Sequence, residues 1–300
     1  MEGTRRPQFL RRGRPRLEED QKGWKQARGP LTRIRGAVLF PALILVGASL
    51  PGGSPEGGSD ASLRALPEHP AGPRTDTLVV AQFSLLPSRT PVEEFLAPAW
   101  LPLSFGDDRG LTEYRAARRG GRNCLHARTR GGASGLVKPL VVDPAVHPTI
   151  RWSWWVQGPV PGGDLTRKEG DDFAARIYVN FRFEPSKAGF LDRLKHRLAG
   201  SRFGGEAPGR SLVYVWGNTQ PPGTAAPNAY TDKAMVIVVR SGETEAGAWH
   251  TEERDIREDF RMAFGDEPPE ITSIAIMSDA DDTGAAAEAC YGDISLLGPF

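Results

Sequence analysis

Four runs in this sequence alternate residue by residue between two unlike faces, and that alternation commits them to strands. In IRWSWWV, Ile150, Trp152, Trp154 and Val156 share one parity, and Arg151, Ser153 and Trp155 the other. Phe173, Ala175, Ile177, Val179 and Phe181 form an apolar row opposite Ala174, Arg176, Tyr178 and Asn180. Val213 and Val215 alternate with Tyr214 and Trp216, and Gly292, Ile294 and Leu296 with Tyr291, Asp293 and Ser295. Successive side chains on a strand point to opposite faces, so a period of two predicts one face in the core and one facing outward. The outward row is rich in Arg, Tyr, Trp, Asn and Asp, which suits stacking on a polar ligand and hydrogen-bonding it. Arg176, Tyr178, Asn180, Tyr214, Trp216 and Asn218 are therefore the candidate ligand-binding residues. Aromatic faces pack on the C–H faces of sugar rings while Arg and Asn satisfy hydroxyls, so a glycan is the expected ligand. The alternative is that these side chains lie beneath a second layer and complete the core.

Strand-like runs recur from Thr77 onward, at 78–83, 100–105, 112–117, 122–128, 134–142, 149–156, 173–183, 211–217, 234–241, 247–253, 271–278 and 289–297. No strand–helix–strand alternation accompanies them, which argues against a parallel α/β sheet. The 35 glycines and 26 prolines supply the turns such a chain needs. The expected fold is all-β with minor helices: a two-sheet antiparallel β-sandwich of jelly-roll type. Ser186 is placed to cap a helix over 187–200, with Phe190, Leu191, Leu194 and Leu198 as its apolar stripe and Lys187, Arg193, Lys195 and Arg197 opposite. A second short helix is predicted over 255–263, ending before Gly265.

Charge divides the chain. Residues 1–35 hold 11 Lys/Arg against 4 Asp/Glu, leaving 27 basic and 33 acidic residues in the remainder. An acidic folded portion argues against nucleic acid as a partner, because such binding depends on neutralising phosphates. The basic arm leads into uncharged Gly36–Leu50, which is short for a membrane span but suits the apolar region of a signal peptide cleaved after Ala48. An uncleaved anchor is the alternative. A start near Leu31 would leave a compact signal of ordinary design. Residues 51–75 contain 13 Gly, Pro or Ser out of 25 and read as a flexible linker. The expected organisation is a basic arm with signal or anchor over 1–50, a linker over 51–76, and a sandwich domain over 77–300. The domain is expected outside the cytoplasm, periplasmic or extracellular, touching membrane only through its N-terminal segment.

Two constellations carry possible chemistry. Asp279, Asp281 and Asp282 in the run DADDTG resemble part of a calcium loop, since Ca²⁺ takes six to eight oxygens on a flexible turn. The run lacks the twelfth-position Glu of an EF-hand, and an Asp-rich turn capping backbone amides is the competing reading. The capping turn is the favoured reading, so no cofactor is expected, with a structural calcium ion as the alternative. Asp172, Asp293 and Asp279 are the carboxylates a glycoside hydrolase or lyase would use; pairing with arginines across strands explains them without chemistry. The five histidines are scattered, and no nucleophile elbow, phosphate loop or dinucleotide fingerprint occurs. Cys124 and Cys290 both fall in strand-like runs, as a disulfide or as two separate buried thiols. The favoured role is non-catalytic ligand binding in the cell envelope, with a carbohydrate-active enzyme and a protein-binding scaffold as rivals.

Several blocks, in order, resemble a bacterial family of secreted proteins catalogued as domain of unknown function 3047. They are GASGL (Gly132–Leu136), IRWSWW, DDFAARIYVNF (Asp171–Phe181), YVWGN (Tyr214–Asn218), RSGETEAGAWHTEERDI, FGDEPPEITSIAIMSDADDTG and YGDI (Tyr291–Ile294). The resemblance implies a single galactose-binding-like sandwich of the kind used as carbohydrate modules, and no reaction. It also implies that Cys290, where relatives carry an aromatic or small residue, is a local feature.

Overall fold

Every one of the twelve strand-like runs contains a strand in the computed structural model, which describes residues 38–39, 76–87, 96, 99–104, 110–186 and 207–299. In chain order the strands are β1 (Val38–Leu39), β2 (Thr77–Ala81), β3 (Leu101–Ser104), β4 (Glu113–Arg119), β5 (Arg122–Arg130), β6 (Ala133–Val142) and β7 (Thr149–Val156). They continue with β8 (Arg176–Phe181), β9 (Arg210–Gly217), β10 (Ala225–Asn228), β11 (Thr231–Ser241), β12 (Trp249–Asp255), β13 (Ile271–Asp279) and β14 (Ala286–Leu297). The helix expected over 187–200 lies outside the described residues. The other expected helix is α1 (Ile256–Phe264). Asp255 caps it, its carboxylate accepting from the amides of Arg257 and Glu258 at 2.9 Å each. Gly265 ends it at φ 69°, a conformation only glycine adopts without strain.

The strands form two sheets. One has the order β1-β3-β6-β13-β8-β9-β11-β10, the other β12-β7-β14-β5-β4, with β2 beside the second half of β14. Most neighbours are antiparallel, as expected, but β9 and β11 run parallel and so do β1 and β3. The intervening β10, which no sequence pattern marked, pairs with β11 at the sheet edge. Between β4 and β5 the turn is Gly120-Gly121, both at positive φ (50° and 80°), the geometry a two-residue hairpin requires.

The core fills the space between the sheets. From the six-stranded sheet come Leu125, Ala127, Trp152, Trp154, Tyr291, Ile294 and Leu296; facing them are Ile177, Val179, Phe181, Leu212, Tyr214, Trp216, Ile274 and Ile276. Aromatic pairs bridge the two layers: Trp152 stacks on Tyr214 with centroids 5.2 Å apart, and Trp154 meets Trp216 edge-on at 6.1 Å. Phe260 of α1 closes one end of the core against Phe181 at 4.6 Å. A second, smaller cluster lies on the outside of the larger sheet, where Leu165 and Phe173 of the 157–175 loop cover Val213, Val215, Val236 and Val238. Among the described residues no helix is long and apolar enough to cross a membrane.

Candidate functional site

The expected outward face is corrected by this second layer. Tyr214 and Trp216 are 0% exposed and point between the sheets, while Val213 and Val215 point outward into the smaller cluster. Inside and outside are thus the reverse of the expectation at β9, because the 157–175 loop makes both faces of the strand apolar. Tyr214 donates to the buried Asp259 carboxylate at 2.8 Å, and the Trp216 indole donates to the Gly242 carbonyl at 3.0 Å. Arg176, Tyr178 and Asn180 do occupy the outer face of β8, but Arg176 and Tyr178 lie against the loop and Asn180 is buried among its strand neighbours. Asn180 donates to Ser273 at 2.9 Å and accepts from Ser211 at 2.7 Å, a polar ladder across three strands. The half-buried Tyr178 hydroxyl turns to the Met277 sulfur, and Asn218 holds the loop by donating to the carbonyls of Val160 and Gly163. These six residues are stitched into the fold rather than presented to solvent.

The acidic residues converge where the loop meets the end of β13. Arg176 is buried between Asp171 and Asp279, pairing with both, and its guanidinium lies 4.5 Å from the Phe173 ring centroid. Asp279 also accepts from the Phe173 amide at 3.1 Å. Asp172 accepts from the amides of Asp282 and Thr283 at 3.3 and 2.6 Å, and Asp282 accepts from Tyr230 at 2.7 Å. Burial, only partly opposed by Arg176, pushes the Asp279 carboxyl up to about 8. Carboxylate oxygens of Asp172, Asp279 and Asp281 lie within 4.8 Å of one another, which matches the chemistry of a hard cation. Asp282, the third residue of the expected calcium set, is directed to Tyr230 instead.

Asp293 belongs to the opposite side of the molecule, on the outer face of the six-stranded sheet. The Asp172, Asp279 and Asp293 proposed for hydrolysis therefore do not share a cleft.

At Asp293 the sheet itself makes a groove. β14 pairs with β5 up to Tyr291 and with β2 from Ile294, and its register shifts between these points. The resulting bulge leaves a gap of about 410 Å³ lined by Ser84, Arg118, Gly121, Arg122, Asn123, Ser153, Trp249, Gly292 and Asp293. Gly292 forms the floor: a Cβ there would overlap the Ser153 hydroxyl and press on Trp249. Trp249 is fixed by donating its indole N–H to the Arg119 carbonyl at 2.8 Å and by packing on Gly120. Arg122 lies over its ring at 5.6 Å. Asp293 binds Ser84 twice, accepting from its amide at 2.8 Å and its hydroxyl at 2.7 Å.

Behind the groove, Cys124 of β5 and Cys290 of β14 are joined in a disulfide, with Cα atoms 5.6 Å apart and both residues fully buried. Next to it His126 contacts Glu288 at 3.0 Å and accepts on Nδ1 from Arg115 at 3.2 Å. Burial lowers the His126 pKa, so the neutral ring with its proton on Nε2 suits both contacts. Burial works against the Glu288 carboxylate, yet His126 and Arg119 hold its pKa below the ordinary range. Of the groove residues, parity in the sequence marks Ser153 and Asp293 as outward and sets Gly292 in the opposite row, and it does not mark Trp249, Asn123 or the arginines. The one signal for them was the Arg-rich hairpin with its double glycine.

The family described as "Protein of unknown function (DUF3047)" matches residues 98–295 of the chain. Among curated proteins none matches.

Proposed function

We propose that this chain, which belongs to the DUF3047 family, is an exported binding module whose glycan ligand occupies the groove at the β14 bulge. The observation that carries this reading is the lining: a fixed indole, Trp249, among the hydrogen-bonding side chains of Ser84, Asn123, Ser153 and Asp293 around about 410 Å³. Ligand sites commonly measure roughly 300–1,000 Å³ and combine an apolar wall with a few placed polar groups. Sugar hydroxyls need both donors and acceptors, and this set offers both. The site moves from the β8–β9 face expected from sequence to the opposite sheet, while the class of ligand stays the same.

A binding role is favoured over hydrolysis by the separation of the carboxylates. Glycoside cleavage takes two carboxyl groups about 5–10 Å apart flanking one bond, whereas Asp293 and the Asp172–Asp279 pair lie on opposite outer faces. Export is supported by the disulfide, a bond rare in reducing compartments, and by the basic arm followed by an apolar run.

Screening the purified domain on an array of bacterial envelope glycans tests the binding reading. One class of glycan should bind, and Trp249→Ala and Asn123→Ala should each weaken it roughly tenfold, the effect of about 1.4 kcal/mol. No glycan bound by correctly folded protein, or equal binding by both variants, refutes it; a protein captured through the same groove would favour the scaffold reading. Export is tested by fractionation: recovery of the chain in the cytoplasm with both thiols reduced would refute it.

A further inference from the structure

Resting on the groove reading above, we propose that the ligand is an anionic glycan, whose carboxylate or phosphate groups are gripped by Arg118 and Arg122.

The hairpin that walls the groove departs in charge from the rest of the domain. Between Glu113 and Arg130 there are six arginines and one glutamate, in a chain whose remainder beyond residue 35 is acidic overall. Within the hairpin Arg119 pairs with Glu288, and elsewhere arginines likewise form ion pairs within the fold: Arg151 with Glu253, Arg240 with Glu252, Arg254 with Asp259 and Arg261 with Glu267. Arg118 and Arg122 are exposed at the groove, and neither has a carboxylate in ion-pair range among the described residues.

Both are nevertheless held. Arg118 donates its Nε to the Gly121 carbonyl at 3.2 Å, which leaves the terminal nitrogens for a ligand. Arg122 rests on the Trp249 ring, an attraction between a cation and the ring face. That contact decides against a neutral sugar: it would have to displace a guanidinium before stacking on Trp249, whereas an anion is drawn to the guanidinium where it stands. The groove's own acid, Asp293, has both carboxylate oxygens engaged by Ser84. Two guanidinium forks flanking a concave gap match the planar, two-oxygen geometry of carboxylate and phosphate, and they outnumber the one carboxylate of the lining, Asp293.

The test compares matched pairs by calorimetry: mannohexaose against the β-1,4-mannuronate hexasaccharide, and pentamannose against pentamannose 6-phosphate. At least one charged member should bind tenfold or more tightly than its neutral counterpart, with affinity falling as salt is raised. The two arms separate carboxylate from phosphate as the source of charge. In Arg118→Gln/Arg122→Gln the preference should vanish while the melting temperature stays unchanged, since both side chains are exposed. Neutral members binding as well as charged ones overturns the inference and leaves the glycan reading standing. Binding of none of the four also overturns it, and the array then decides on glycans independently. A twelve-residue oligothymidylate that binds more tightly than every sugar overturns it in favour of nucleic acid.

Discussion

Trp216→Ala tests the packing that displaced the expected binding face. The indole is 0% exposed, meets Trp154 edge-on and donates to the Gly242 carbonyl. A buried tryptophan removes roughly 200 Å² from water, worth about 5 kcal/mol at ~25 cal/mol/Å², of which alanine keeps a small part. Truncations of buried aromatics cost about 3–5 kcal/mol, and the lost hydrogen bond adds about 1 kcal/mol. The expected loss is therefore about 4–6 kcal/mol. With a urea slope of about 2–3 kcal/mol/M for a domain this size, the midpoint should fall by about 2 M. Unfolding followed by circular dichroism measures it, with Arg118→Gln as an exposed control expected within about 0.5 kcal/mol of wild type. A loss below about 1 kcal/mol for Trp216→Ala would show the side chain outside the core. The orientation of β9 given above would then be wrong.

The remaining expectations concern charge, cross-linking and shape. Asp279 ionises near 3.8 when unfolded and near 8 when folded, so the folded state keeps a proton the unfolded chain has lost; its contribution to stability falls as pH rises from about 4 to about 8. Asp279→Asn should flatten that slope in a series of thermal melts, and an unchanged slope refutes it. If a cation joins Asp172, Asp279 and Asp281, millimolar Ca²⁺ should raise the melting temperature, chelator lower it, and Asp281→Ala abolish the difference; no shift in the wild type leaves an amide-capping turn. The disulfide closes a loop with a sequence separation of 166, so Cys124→Ala/Cys290→Ala should lose about 2–5 kcal/mol; a loss under about 1 kcal/mol would refute that contribution. Gly292→Ala should close the groove floor and abolish glycan binding, which a binding isotherm identical to wild type would contradict.

Outside the β14 bulge, where Tyr291 and Ile294 both face the core, the strands were legible in the sequence because their period survives whatever covers them. At β7 the parity also gave the correct inside, since Arg151, Ser153 and Trp155 do face outward. At β9 it did not. Alternation of Val with Tyr and Trp distinguishes two faces but not which faces the other sheet, and the deciding contact comes from Leu165 and Phe173 in a loop without periodic pattern. Arg176 illustrates the same limit: an arginine on a strand reads as solvent-facing until Asp279, 103 residues away, and the nearby Asp171 are known to enclose it. The groove was hidden for a different reason. Its lining comes from five stretches of chain, brought together by a register shift that leaves no local mark beyond Gly292.

The position of β14 has a consequence for how the molecule comes into being. The last strand lies in the middle of its sheet, flanked by β7 on one side and by β5 and β2 on the other. Until residues 286–297 leave the ribosome, β5 and β7 have no neighbour to join them, and half of the aromatic core lacks its wall. The six-stranded sheet therefore cannot close strand by strand in chain order; its two halves, β4–β5 and β7–β12, wait for β14 to join them. The strand that joins those halves also carries Cys290 to Cys124, so closure of the sheet and cross-linking depend on the same segment.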